Sequence, residues 1–250
     1  MEFVLRFFST LLILCFFGNS VNASEVLVYR NESMPWCGTV DGKDAGIAVD
    51  ILNAITKKGG PKFKFESVPW KRAQKLVQKN KGTAIIPLTR TTTREKNYNW
   101  IIELIPNQVR LTTARNQINK LSIPSPLTLE NSKLLSIGII RGSALIPTMK
   151  ELGFTKLYEV NTVEQLVKML SVGRIDAMAE SKWVDNYTWS NLGLERNDLV
   201  EGINIGDTKF IYFGAALNFP SELTSQIREA MVKVQKSGDL ERILNKWANF

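Results

Sequence analysis

The chain has 250 residues, 44% hydrophobic and 22% charged, with 16 Gly and 9 Pro, which excludes a disordered, collagen-like or low-complexity protein. It contains no histidine and two cysteines, which removes His-ligated zinc sites, Ser/His/Asp and Cys/His triads and any rich disulfide framework. The formal net charge of +8 is spread along the chain without a Lys/Arg run. It reads either as a solvated basic surface or as attraction for anionic ligands, and no basic-aromatic motif for nucleic acid accompanies it.

Residues 1–6 carry Arg6, residues 7–17 form an uncharged apolar run, and Val21-Asn22-Ala23 places small residues at −3 and −1 of a cleavage site. This is the layout of a secretory signal peptide over 1–23, cut after Ala23. The run is too short for a membrane-spanning helix, which needs about 20 residues. Cys15 follows Leu14, where a lipoprotein signal needs a small residue. The mature chain is expected to be exported and soluble. It keeps only Cys37, which cannot form an intramolecular disulfide and is expected to be shielded or free.

Strand-like and helix-like segments then alternate. Residues 25–29 read as a strand. Residues 46–58 read as a helix with Ile47, Ile51, Leu52 and Ile55 on one stripe, stopped by Gly59-Gly60-Pro61. Residues 62–68 alternate as a strand, 69–82 begin with proline and end in glycine as a helix, and 83–87 form a short buried strand. After a Thr-, Asn-, Ser- and Pro-rich link over 108–131, the pattern resumes. Strands are expected at 134–140, 156–160, 175–179 and 210–217, with a short helix ending at Gly153. The clearest helix is 162–172, where Thr162 and Gln165 form a capping box and Gly173 stops it. Amphipathic helices over 221–237 and 239–247 close the chain. Such alternation implies parallel sheets flanked by helices, here in two α/β lobes. Ligands then bind at the carboxyl ends of strands, in the crevice between lobes.

The densest polar stretch, 88–100, follows the buried strand at 83–87 directly. Arg94 there can grip a carboxylate with two parallel hydrogen bonds, aided by Thr89 and Thr91; the alternative is a solvated Thr/Arg turn. Trp70 is either a stacking wall for a ligand or a core tryptophan. Ser143, in Arg141-Gly142-Ser143, sits where exposed N–H groups favour anions, or in a plain turn. Glu180 and Ser181 end a strand and can meet a ligand amine or hydroxyl, or cap the next helix.

Five motifs in order resemble the polar-amino-acid family (family 3) of bacterial periplasmic solute-binding proteins. They are GIAVDI at 46–51, VPWKRA at 68–73, Thr91-Thr92-Thr93-Arg94 with Trp100 downstream, GRIDA at 173–177 and GDLERILNKW at 238–247. The resemblance implies an α/β, two-lobed type-2 periplasmic-binding fold, each lobe a mostly parallel sheet flanked by helices. Lobe 1 is then 24–109 and 213–250, lobe 2 is 110–212, and crossovers lie near 105–113 and 208–214. It implies Arg94 as the residue binding a ligand α-carboxylate, Thr89 as a hydroxyl partner, Trp70 as a stacking aromatic and Ser143 as a second-lobe contact. The family closes on its ligand and docks on an inner-membrane ABC permease.

Two departures stand out. Ser181, with Glu180 before it, occupies the place of the family's ammonium-binding aspartate, and Ser33 replaces a tyrosine. Arg30 and Arg90 add positive charge near the expected cleft mouth. Together they point to a carboxylate-bearing ligand whose amine is not strongly held. The function implied is a monomeric periplasmic binding protein for a small amino-acid-like carboxylate, with no cofactor, no metal and no catalysis. A periplasmic dehydratase-like enzyme, with Glu180 as its acid or base but no paired acid beside it, and a sensing module for a separate partner are the alternatives.

Overall fold

The computed structural model describes residues 25–121 and 125–248; the expected leader, 1–23, lies outside the described residues. In chain order, β1 (Glu25–Arg30) leads through the hairpin β2 (Gly38–Val40) and β3 (Lys43–Ala45) into α1 (Ile47–Lys57). Next come β4 (Lys62–Ser67), α2 (Trp70–Lys79), β5 (Ala84–Thr89) and β6 (Asn99–Asn107). Then follow β7 (Val109–Ala114), α3 (Arg115–Leu121), α4 (Leu129–Ser132), β8 (Ile137–Ile140) and α5 (Ile146–Glu151). After them stand β9 (Leu157–Val160), α6 (Val163–Ser171), β10 (Ala177–Ser181), α7 (Lys182–Asn191) and β11 (Leu199–Asn204). The chain ends with β12 (Lys209–Ala215), α8 (Ser221–Lys236) and α9 (Asp239–Trp247).

The strands form two five-stranded sheets, ordered β4-β1-β5-β12-β6 and β11-β7-β10-β8-β9. The α/β architecture with helix-flanked sheets stands, and each sheet is mixed. β1 runs parallel to β4 and β5, and β8 parallel to β9 and β10. β12 runs antiparallel to β5 and β6, and β7 antiparallel to β10 and β11. The reversed strands border the crossovers, where the chain leaves one sheet and must return to it. It passes from β6 to β7 through Gln108 and comes back from β11 to β12 through 205–208. The second return falls earlier than the boundary at 213. Lys209, Phe210 and Ile211 already pair with Asn107, Pro106 and Ile105 of the first sheet.

Helix α1 buries Ile47, Ile51, Leu52 and Ile55 completely, as its stripe requires. The carboxylate of Asp50, on the same helix, accepts hydrogen bonds from Trp247 Nε1 and Lys246 Nζ, each at 2.8 Å. One motif at the start of the chain thereby fastens the other at its end. Asp50→Ala is expected to cost about 1–2 kcal/mol in urea unfolding, the worth of a charge-assisted pair of bonds. The capping box of α6 forms as the spacing predicts: Thr162 Oγ1 accepts from Gln165 N at 3.2 Å, and Gln165 Oε1 accepts from Thr162 N at 3.3 Å. Thr162→Ala should cost about 1 kcal/mol in the same measurement. Among the described residues no helix is long and apolar enough to cross a membrane.

Candidate functional site

A cavity of about 250 Å³ lies between the two sheets. From the first sheet it is lined by Thr89 at the end of β5, by Thr91 and Arg94 just beyond, by Trp70 at the start of α2, and by Asn31, Ser33 and Trp36. From the second come Ile140 at the end of β8, Ser143 beyond it and Glu180 on β10; the crossovers and the strand ends beside them add Asn107, Val109, Asp207 and Lys209.

The turn after β5 aims Arg94 inward. Its N–H donates to the Thr91 carbonyl at 3.0 Å, folding the chain back on the strand end. Nη1 donates to the Thr89 carbonyl at 3.0 Å and Nη2 to the Gly142 carbonyl at 2.8 Å, across from the other sheet. The guanidinium lies 5.9 Å from the centre of the Trp70 ring. Arg94 is 8% exposed, and burial lowers its pKa. Among the described residues no carboxylate comes within 4.0 Å of it. A buried cation without a counter-ion is costly unless an anion reaches it.

The loop at 31–37 is held from below by α1. Ile47 N donates to the Pro35 carbonyl at 2.8 Å and Ala48 N to the Trp36 carbonyl at 2.9 Å, so the helix's free N-terminal donors clasp the loop. Gly46 allows this approach: its φ is 120°, and a Cβ there would lie 2.7 Å from the Trp36 carbonyl oxygen. The GIAVDI motif thus positions three lining residues. Asn31 Oδ1, Trp36 Nε1 and Asn107 Oδ1 are buried without a hydrogen-bond partner, which leaves both donor and acceptor capacity around the cavity. Cys37, beneath the loop, is buried and free, and burial pushes its thiol up to about 12.

Glu180 lines the cavity; Ser181 does not. Ser181 is 1% exposed, ends β10 at the N-cap of α7, and its Oγ has no hydrogen-bond partner. Its NH donates to Glu180 Oε1 at 2.8 Å. Burial raises the Glu180 carboxyl to about 7, against that backbone bond. An acid missed from the sequence stands nearby. Asp185 on α7 is fully buried, accepts from Thr112 Oγ1 at 2.6 Å, and is pushed well above the carboxylate range, chiefly by burial and in part by Glu180. Asp185 is not part of the cavity lining.

Arg30 and Arg90 are not part of the lining either. Arg30 is 3% exposed and tied to Asp44 and Glu32, each at 2.6 Å. Arg90 forms a two-pronged pair with Glu95 at 2.9 and 2.5 Å and lies over the Trp100 and Tyr212 rings. The expectation that these two add positive charge near the cleft mouth is corrected: Arg30 is paired with Glu32 and Asp44, and Arg90 with Glu95. Lys209 supplies a lining cation instead, with Asp207 beside it. The described residues hold no cluster of three or more His, Cys, Asp or Glu suited to a metal ion.

A family model for bacterial extracellular solute-binding proteins, family 3, matches residues 26–250. The arginine-binding extracellular protein ArtP of Bacillus subtilis (strain 168) is 26% identical over 210 residues, covering 81% of this chain and 77% of that protein. Among solved structures, a histidine kinase sensor domain with similarity to periplasmic binding proteins aligns with a TM-score of 0.79 at 16% identity, over 90% of this chain and 96% of that one. The arginine-, lysine-, histidine-binding protein ArtJ of Geobacillus stearothermophilus aligns with a TM-score of 0.75 at 21% identity, over 90% and 95%. At these identities the structural likeness speaks for the fold.

Proposed function

The chain belongs to the bacterial extracellular solute-binding proteins, family 3, and from that premise we propose that it captures a small amino-acid-like carboxylate between its two sheets and closes around it. The observation that carries this reading is Arg94, a buried guanidinium that faces the cavity and has no carboxylate within 4.0 Å among the described residues. A ligand carboxylate meets its remaining N–H groups, with Thr89 and Ser143 beside it and Trp70 as a flat apolar wall. The ligand's amine turns to Glu180 and not to Ser181, since Glu180 lines the cavity. Near neutral pH Glu180 is only partly ionised, so its hold on an amine is weaker than that of a fully ionised aspartate. ArtP, whose name states that it binds arginine, makes basic amino acids the first compounds to try.

Binding shifts an open–closed equilibrium, and the closed form is what a membrane partner reads. An ABC-type uptake permease is that partner in this reading, the signal peptide delivers the chain to the periplasm, and it works there as a monomer without turning its ligand over. Thermal unfolding of the mature protein against a panel of α-amino acids and simple carboxylates tests the reading. A ligand at 100 times its Kd adds about 2.7 kcal/mol. A panel in which no α-carboxylate compound raises Tm defeats it.

A further inference from the structure

Beyond the two crossovers, the first sheet's layer touches the second at the turn after β8. Gln74 on α2 donates from Nε2 to the Gly142 carbonyl at 3.0 Å. The same carbonyl accepts Arg94 Nη2 at 2.8 Å, so both of its lone pairs go to donors from the opposite sheet. Gly142 has φ +78°, and a Cβ there would lie 2.9 Å from both Gln74 Nε2 and Lys71 Cδ. The backbone of one layer is therefore pressed against α2 of the other as closely as glycine alone permits. Gln74 is 7% exposed and is not part of the cavity lining.

We propose that Gln74 is a closure latch, a positioning residue outside the ligand-contacting set whose amide holds the two layers together over the cavity before any ligand arrives. The proposal rests on the reading that closure accompanies binding, and it deepens that reading. Arg94 divides its donors between ligand and latch, so ligand capture and closure reinforce each other at one carbonyl. Gln74 needs no ligand to act. By setting how much of the free protein is closed, it scales the apparent Kd without touching the ligand.

The test uses single-molecule energy transfer on the ligand-free mature chain. Dyes are placed through Lys64→Cys on β4 and Tyr158→Cys on β9, exposed positions on strands at the outer edge of each sheet. Cys37 is buried, with a thiol raised to about 12, and does not compete for label. Gln74→Met keeps the bulk and removes the donor; Gln74→Glu turns an acceptor toward the carbonyl. Both are expected to lower the closed-to-open ratio about three- to tenfold, the loss of one hydrogen bond. A ratio equal to wild type in both variants, or a wild type with no closed population, overturns the latch. A merely structural role would lower Tm and leave the ratio unmoved. No ligand enters the measurement, so a failed ligand panel leaves its outcome intact.

Discussion

Replacing Arg94 by alanine is expected to abolish ligand-induced stabilisation and to weaken binding by about thirtyfold or more, with the fold intact. Of the lining cations it is the buried one, and no carboxylate lies within 4.0 Å of it among the described residues. Removing one partner of a buried charge-assisted pair costs about 2–5 kcal/mol in binding. The free protein should change little. It is relieved of a desolvated cation and loses donors to the Thr89 and Gly142 carbonyls, two effects of opposite sign. Arg94→Lys separates charge from shape. Lysine keeps the cation but cannot serve two carbonyls and a ligand carboxylate with one planar fork, so affinity should still fall more than tenfold. Calorimetric titration with the best compound of the panel checks both variants. Wild-type affinity in Arg94→Ala would remove the pocket from the place assigned to it here.

How much of this was readable beforehand depends on the type of residue. The apolar stripes of α1 and α6 were legible, and so was the α6 cap, because Thr162 and Gln165 meet within one helical turn. Strand β7 was not. Its sequence, Val-Arg-Leu-Thr-Thr-Ala, looks like part of a polar link. Yet Thr112 and Thr113 are fully buried, one hydroxyl donating to Asp185 and the other to the Asp176 carbonyl at 2.7 Å. Buried threonines are admissible when partners from distant elements satisfy them, and such partners are invisible to local pattern. The second crossover, expected near 208–214, runs through 205–208, a few residues earlier, because β12 already pairs from Lys209 although its apolar run begins only at Phe210.

The candidate site divides along the same line. The Thr91–Arg94 turn follows its strand directly, so local spacing was enough to bring Thr89 and Arg94 to one cavity. Arg30 and Arg90 required knowledge of what faces them. Asp44 reaches Arg30 only because β2 and β3 fold back over it. Asn31, Ser33, Trp36, Asn107 and Lys209 carry no motif chemistry of their own. They line the cavity because α1 clasps one loop and the crossovers border the gap. For Glu180 and Ser181 the deciding fact is strand alternation, which sends neighbours to opposite faces. An error of one residue exchanges the lining group for the buried one.

Glu180 gives the second large effect, a pH dependence near neutrality in a chain without histidine. Its carboxyl is raised from an ordinary value of 4.5 to about 7. Between those values the ligand-free folded protein keeps a proton that the unfolded chain has released. Stability is therefore greatest below the ordinary value and declines as pH rises toward 7, by on the order of 2–3 kcal/mol. Asp185, raised by its own burial, pulls in the same direction. A ligand carrying an ammonium group reverses the preference, because it favours the carboxylate. Affinity for such a ligand should then rise about tenfold from pH 6 to pH 8 as Glu180 ionises. Glu180→Gln should flatten that rise and bind less tightly than wild type above pH 7, while a carboxylate ligand lacking the amine shows no rise in either protein. An amine-bearing ligand whose affinity climbs with pH as steeply in Glu180→Gln as in wild type would take the amine contact away from Glu180, because a glutamine cannot titrate.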